Sequence, residues 1–214
     1  MFESVTIKIA DKVVTETNNM YPYRSLMETL LNYEKVVLDT RMKCEGYEED
    51  TPAQIAVTDP AGANAGLGTR EGFWNNSRVV RLIGRLHSDL FSQEKLIPAG
   101  NKLDIQLVPS RPAFFIKMAA PQNNAAQVLY KLHIMRARFL VQFKKVSKDM
   151  AISHHKPVDG VNSQIPITKV VRKTQHIPQG VTNFSIDNLF KGKLPGRVAL
   201  AILNDAAMTG SYTT

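Results

Sequence analysis

The sequence predicts an all-β sandwich with one or two short helices. Three observations carry the prediction. In Leu103-Asp104-Ile105-Gln106-Leu107-Val108, apolar and polar residues alternate with the period of a strand that has one dry face and one wet face. Tyr130-Lys131-Leu132-His133-Ile134, continuing to Phe143, alternates too, but Tyr130, Leu132 and Ile134 share one parity while Ala137, Phe139, Val141 and Phe143 carry the other. A change of parity near Met135 means either a β-bulge or a strand that leaves one sheet for another, both at home in a sandwich with bent strands. On either account Ala137, Phe139, Val141 and Phe143 are expected inside, and Arg138, Gln142 and Lys144 in solvent or at a subunit contact. The third observation is the turn punctuation around these runs, Pro98-Ala99-Gly100-Asn101 before the first and Pro109-Ser110-Arg111-Pro112 after it.

Taken in order, Met1 to Val14 reads as a hairpin in which Val5, Ile7 and Ile9 alternate with Thr6 and Lys8 and Asp11-Lys12 makes the turn. A helix follows, with Pro22 in its first turn and an apolar stripe of Tyr23, Leu26, Met27, Leu30 and Leu31 expected to pack on the core at one end of the sandwich. Residues 44–77 read as a long irregular loop. Val79 to Leu90 has strand composition, and Ala113 to Met118 is expected to resume the strand broken at Pro112. Residues 149–163 read as a polar linker, with one helical turn from Lys148 to His154. The β pattern then restarts at Ile165–Lys173, Phe184–Ile186 and Val198–Leu203.

Composition narrows the class. The 214 residues are 43% apolar, enough for a globular core, and no apolar run reaches membrane-spanning length. A single cysteine, Cys44, excludes an internal disulfide framework and a zinc cluster of cysteines. In the reducing compartment this suggests, and with no signal peptide in Met1-Phe2-Glu3-Ser4, the sequons at Asn75 and Asn183 read as chance matches. Net charge is +8, unevenly spread: residues 1–60 hold 6 Lys/Arg against 11 Asp/Glu, and residues 61–214 hold 21 against 8, a balance of −5 against +13. The basic part suits nucleic acid or the acidic neighbours of another subunit.

No residue type and spacing converges on chemistry. Gly66-Leu67-Gly68 lacks the third glycine and the leading strand of a dinucleotide loop, and no Gly-Lys-Ser/Thr follows for phosphate. Glu48-Glu49-Asp50 suits a hard cation or, more simply, a solvated loop. His87 and Asp89 share a strand face and suit an acid/base pair, but no nucleophile accompanies them, so a hydrogen-bonded structural histidine is the simpler reading. His154-His155 is adjacent and therefore divergent, and His87, His133 and His176 are scattered too widely for a cupin-like metal cluster. The expectation is no catalytic residue, no cofactor-binding residue and no metal ligand.

Order along the chain adds a resemblance. Asn64-Ala65-Gly66-Leu67-Gly68-Thr69-Arg70, Leu82 to Phe91, Phe184 to Arg197, Tyr21-Pro22-Tyr23-Arg24, Leu103 to Arg111 and Gly210-Ser211-Tyr212-Thr213 together resemble the hexon-like major capsid proteins of Polinton/Maverick elements and adintoviruses, whose copies are also scattered through animal genomes. The resemblance runs from about Phe2 to Thr214. It implies a double jelly roll, two sandwiches in tandem with three chains to a pseudo-hexagonal capsomer. Residues 1–148 would then be most of a first jelly roll lacking its N-terminal strands, 149–163 the linker, and 164–214 the opening strands of a truncated second one. The 44–77 loop would lie on the outer, tower side. The implied function is structural, in a virion assembled in host cytoplasm or nucleus, with itself and neighbouring capsomers as partners, no enzyme activity, no cofactor and no membrane insertion. The alternative is a basic nucleic-acid-binding β-sandwich module, drawn from Arg136, Arg138, Lys144 and Lys145 on and beside one strand. A half-built second sandwich would also leave Val198, Leu200 and Ile202 exposed and the chain prone to self-association.

Overall fold

The computed structural model describes residues 1–117, 130–155, 164–187, 189–190, 192 and 194–204, and its sheet is a single layer. Strands β1 (Phe2–Ile9), β2 (Lys12–Glu16) and β3 (Leu103–Pro109) lie in the order β2-β1-β3, antiparallel throughout. Ala10 and Asp11 join the first two with φ of 46° and 64°, the left-handed pair that matches a two-residue hairpin to the twist of its strands. The expected hairpin therefore forms, and the strand at Leu103 forms with it.

β1 becomes the central strand because its odd residues are the driest in the chain. Val5 and Ile7 are fully buried, and their register partners Leu107 and Ile105 point to the same side. Tyr21 and Leu90 close the core from the facing layer, with Leu86, Phe91, Ile97 and Ile167 packed around it. A register shift between Ile7 and Lys8 pairs them with Thr15 and Val13, leaving Val14 as the extra residue of a bulge. Past the end of β2, the Thr17 hydroxyl accepts from Val5 N at 2.6 Å and donates to Val5 O at 3.1 Å. A side chain thus completes the ladder where the backbone turns away.

Among the described residues there is no jelly-roll sandwich: they form a small mixed α/β fold. The outer face of the sheet explains why. It pairs Thr6 with Gln106 and Lys8 with Asp104, polar side chains on which a second apolar sheet has nothing to bury. The segments expected to build that second sheet, Val79–Leu90, Tyr130–Phe143, Ile165–Lys173, Phe184–Ile186 and Val198–Leu203, form no strand among the described residues. The parity expectation fails with them, because Phe139, Val141 and Phe143 are exposed alongside Arg138, Gln142 and Lys144. Val198, Leu200 and Ile202 are exposed, as the open-sheet argument expected, although no sheet surrounds them.

Helices take more of the chain than the sequence suggested. α1 (Tyr21–Asn32) lies where expected and is followed by the short α2 (Lys35–Asp39). The supposed loop 44–77 contains α3 (Ala65–Trp74), flanked by 3-10 turns at Arg41–Glu45 and Asn75–Ser77. Where a strand was expected to resume, Pro112 instead opens α4 (Pro112–Phe115), a first-turn position that its fixed φ favours. Met118 lies outside the described residues, as does most of the linker. α5 (Lys148–His155) lengthens the expected single turn.

α1 turns only part of its expected apolar stripe inward: Tyr23, packed edge to face on Phe114, and Met27 are half-buried, but the leucines are not. Its buried residues are Tyr21, Arg24 and Thr29, while Leu26 is 49% exposed, Leu30 53% and Leu31 69%.

Candidate functional site

The outward turn of the α1 leucines has a cause, a buried ion network that holds the helix by Arg24 and Glu28. Arg24 donates from Nε to Glu28 Oε1 at 2.6 Å, one turn on, and from Nη2 to Asp89 Oδ1 at 2.7 Å. His87 Nδ1 stands 2.8 Å from Glu28 Oε2; an ionised carboxylate only accepts, so Nδ1 carries the hydrogen. The His87 backbone N–H donates to the Tyr21 hydroxyl at 3.2 Å, and the two rings meet edge to face. Burial raises the Tyr21 phenol above its ordinary pKa, so the hydroxyl stays neutral. Asp89 accepts once more, from Val170 N at 3.3 Å, which ties the 165–172 segment across the same knot with Ile167 in the core. Half-buried Arg172 completes the set; its burial, then repulsion by Arg24, lowers its pKa. Two guanidinium groups, of Arg24 and Arg172, thus stand near the two carboxylates of Glu28 and Asp89.

His87 and Asp89 therefore do not form an acid/base pair with each other. They occupy opposite arms of the network, one on Glu28 and one on Arg24. Tyr21, Arg24, His87 and Asp89 are all buried, and the hydrogen bonds of His87 go to Glu28 and Tyr21. General acid/base work needs a group within reach of both a nucleophile and a substrate, and among the described residues no nucleophile stands beside this imidazole. The neighbouring Ser88 hydroxyl is fully buried and bonds Thr15 Oγ1. The geometry fastens α1, residues 86–92 and the 165–172 segment to one another.

The network makes stability acid-sensitive, with a definite sign. Burial by itself would raise the Glu28 pKa, but the hydrogen bonds from His87 and Arg24 outweigh it and hold the carboxyl below its ordinary 4.5. Asp50 behaves alike, burial opposing and the Arg70 and Asn64 bonds prevailing, so that it sits below 3.8. A carboxyl with a depressed folded pKa contributes stability that is complete above its unfolded value and is lost as pH falls through the folded one. Urea unfolding is expected to show a midpoint that declines below about pH 4.5, and Glu28→Gln is expected to flatten that decline. A wild-type midpoint constant between about pH 5 and pH 3 would contradict the arrangement.

A second knot orders residues 48–70. Asn64, fully buried, caps α3 by accepting from Leu67 N at 3.3 Å, accepts from Thr51 N at 3.2 Å, and donates to Asp50 Oδ1 at 2.8 Å. Arg70 reaches back to Asp50 and to the Glu48 carbonyl. The acidic triplet is consumed by these contacts, Glu48 pairing with Lys43, Glu49 with Lys35 and Asp50 with Arg70. Gly66, in the first turn of α3, lies so close under the loop that a Cβ there would stand 2.1 Å from the Glu49 carbonyl oxygen. That leaves no room for a phosphate, and the Gly66-Leu67-Gly68 stretch is a packing element.

The remaining candidates do not come together. His133 and His176 are exposed outside any helix or strand, and the side chains of His154 and His155 lie outside the described set. Among the described residues no three His, Cys, Asp or Glu side chains converge as a metal site, and Cys44 is a free, exposed thiol. No helix is long and apolar enough to cross a membrane. Arg136, Arg138, Lys144 and Lys145 are exposed in a segment, residues 130–146, without regular secondary structure. Sequence reasoning missed the roles of Arg24 and Asn64. An arginine inside an amphipathic helix pattern, and an asparagine just before Ala65, were the available signals.

No family model matches the chain, and no solved structure matches it. An uncharacterised protein of Caenorhabditis elegans is 20% identical over 220 residues, an alignment covering 99% of this chain and 48% of that protein. The chain thus spans about half the length of the curated relative it matches.

Proposed function

We propose that this chain acts by association and not by catalysis, as a structural subunit of a capsid of the hexon-like class its motifs resemble, assembling with copies of itself into trimeric capsomers of a virion. The observation that carries the reading is unfinished surface. Large apolar side chains stand in solvent: Phe143, Leu194, Leu200 and Ile202 are each at least 87% exposed. Apolar surface on this scale is characteristic of interaction sites. The buried ionic groups, by contrast, are committed to holding elements together.

Light scattering and negative-stain microscopy of the purified chain test the reading, with oligomers of capsomer form as the expected result. A compact, monodisperse monomer at micromolar concentration would refute it. A nucleic-acid-binding module is the second reading, favoured by the four exposed cations of the 136–145 stretch. Retention on DNA that weakens steeply with salt would select it.

A further inference from the structure

We infer that the apolar stripe of α1 is a docking face for the basic arm, residues 130–146, of a second copy of this chain; the inference rests on the association reading and names its surfaces. The stripe cannot roll inward to cover itself. Arg24, clamped between Glu28 and Asp89, fixes the rotation of the helix, so Leu26, Leu30 and Leu31 face outward, continued by Val36 of α2. The arm is the complementary object. Phe139 tethers it to its own core by packing on Phe91, ring centroids 5.6 Å apart, and leaves Met135, Leu140 and Phe143 at 71%, 75% and 89% exposure.

Charge favours this pairing. Residues 21–50 hold 4 Lys/Arg against 7 Asp/Glu, a balance of −3 that Arg70 on Asp50 reduces to −2, whereas residues 130–146 hold 5 Lys/Arg and no acidic residue. Complementary potentials steer encounter and fix register, and the apolar side chains supply the dry centre. A standard interface removes about 800 Å² from each partner. Because stripe and arm are different surfaces, the contact is heterologous: repeated from copy to copy, it closes into a ring such as a trimer or continues as a filament.

Two double variants test the inference in the full chain. Leu26→Glu with Leu30→Glu breaks the stripe, and Arg136→Glu with Arg138→Glu reverses the arm. All four sites are exposed, and unchanged amide protection at Val5 and Ile7 verifies the fold; Leu31→Glu alone repeats the stripe test at a more exposed position. Each double variant is expected to self-associate at least about tenfold more weakly than wild type. An equimolar mixture of the two is expected to form a discrete dimer, because one intact stripe still meets one intact arm. Variants that associate like wild type, or a mixture that stays monomeric, would overturn the inference. A monomeric wild type with its α1 stripe protected would overturn it too, showing the arm folded onto its own helix. Stripe-dependent oligomers that never take capsomer form would uphold it and overturn the capsid reading.

Discussion

Replacing Arg24 with alanine is expected to lower the unfolding free energy by about 3–5 kcal/mol, the largest effect of any single polar substitution in this chain. Arg24 and Asp89 are both about 96% buried as residues, and the arginine serves two carboxylates at 2.6 and 2.7 Å. Its removal leaves Asp89 away from water with the 3.3 Å bond from Val170 N and the more distant charge of half-buried Arg172. Leaving one partner of a buried pair uncompensated costs far more than the pair contributes, because the desolvation of the survivor is no longer offset. Arg24→Met tests that explanation. Combined with Asp89→Leu it should recover much of the loss, since two apolar groups leave no stranded charge. Chemical denaturation of the two variants gives both numbers. A double variant no more stable than Arg24→Ala would mean that the network contributes through its geometry and not through charge compensation.

Gly66→Ala is expected to cost about 3 kcal/mol, the upper range for forcing extra volume into a packed site. The new methyl would stand 2.1 Å from the Glu49 carbonyl oxygen and 2.8 Å from its carbon. Those are backbone atoms, held by Lys35 at Glu49 and by the Asn64 and Arg70 bonds on Asp50, so relief requires displacing the whole 48–51 loop. Gly72, in the same helix, has nothing within 4 Å of an added Cβ. Gly72→Ala should instead stabilise by a few tenths of a kcal/mol up to about 1, through helix propensity and a less flexible unfolded chain. The opposite signs of two identical substitutions six residues apart are measurable by thermal unfolding. Gly66→Ala unfolding at the wild-type temperature would show that the loop is not seated on the helix.

Local pattern carried the local elements. Alternation in Val5, Ile7 and Ile9 and in Leu103, Ile105 and Leu107 marked two strands that form in this register, and Pro22 with its three- and four-residue spacing marked α1, because these signals act over a few residues of backbone. α3 escaped notice since Gly66, Gly68 and Gly72 lower helix propensity, and the capping of Asn64 and the closeness of residue 49 that make those glycines useful are contacts across loops. The same limit explains the lost sandwich. Alternation from Tyr130 to Phe143 says that a segment can line a sheet with one dry face, not that a sheet edge is present to pair with it. The capsid resemblance likewise lay in the order of residues and carried with it a fold that the sheet's polar outer face does not support. Which face of α1 turns inward was beyond any reading of the helix alone. Its leucines are the better hydrophobes, but Arg24 finds Asp89 65 residues further on, and a charge paired and hydrogen-bonded inside decides the rotation that apolar area by itself would have reversed.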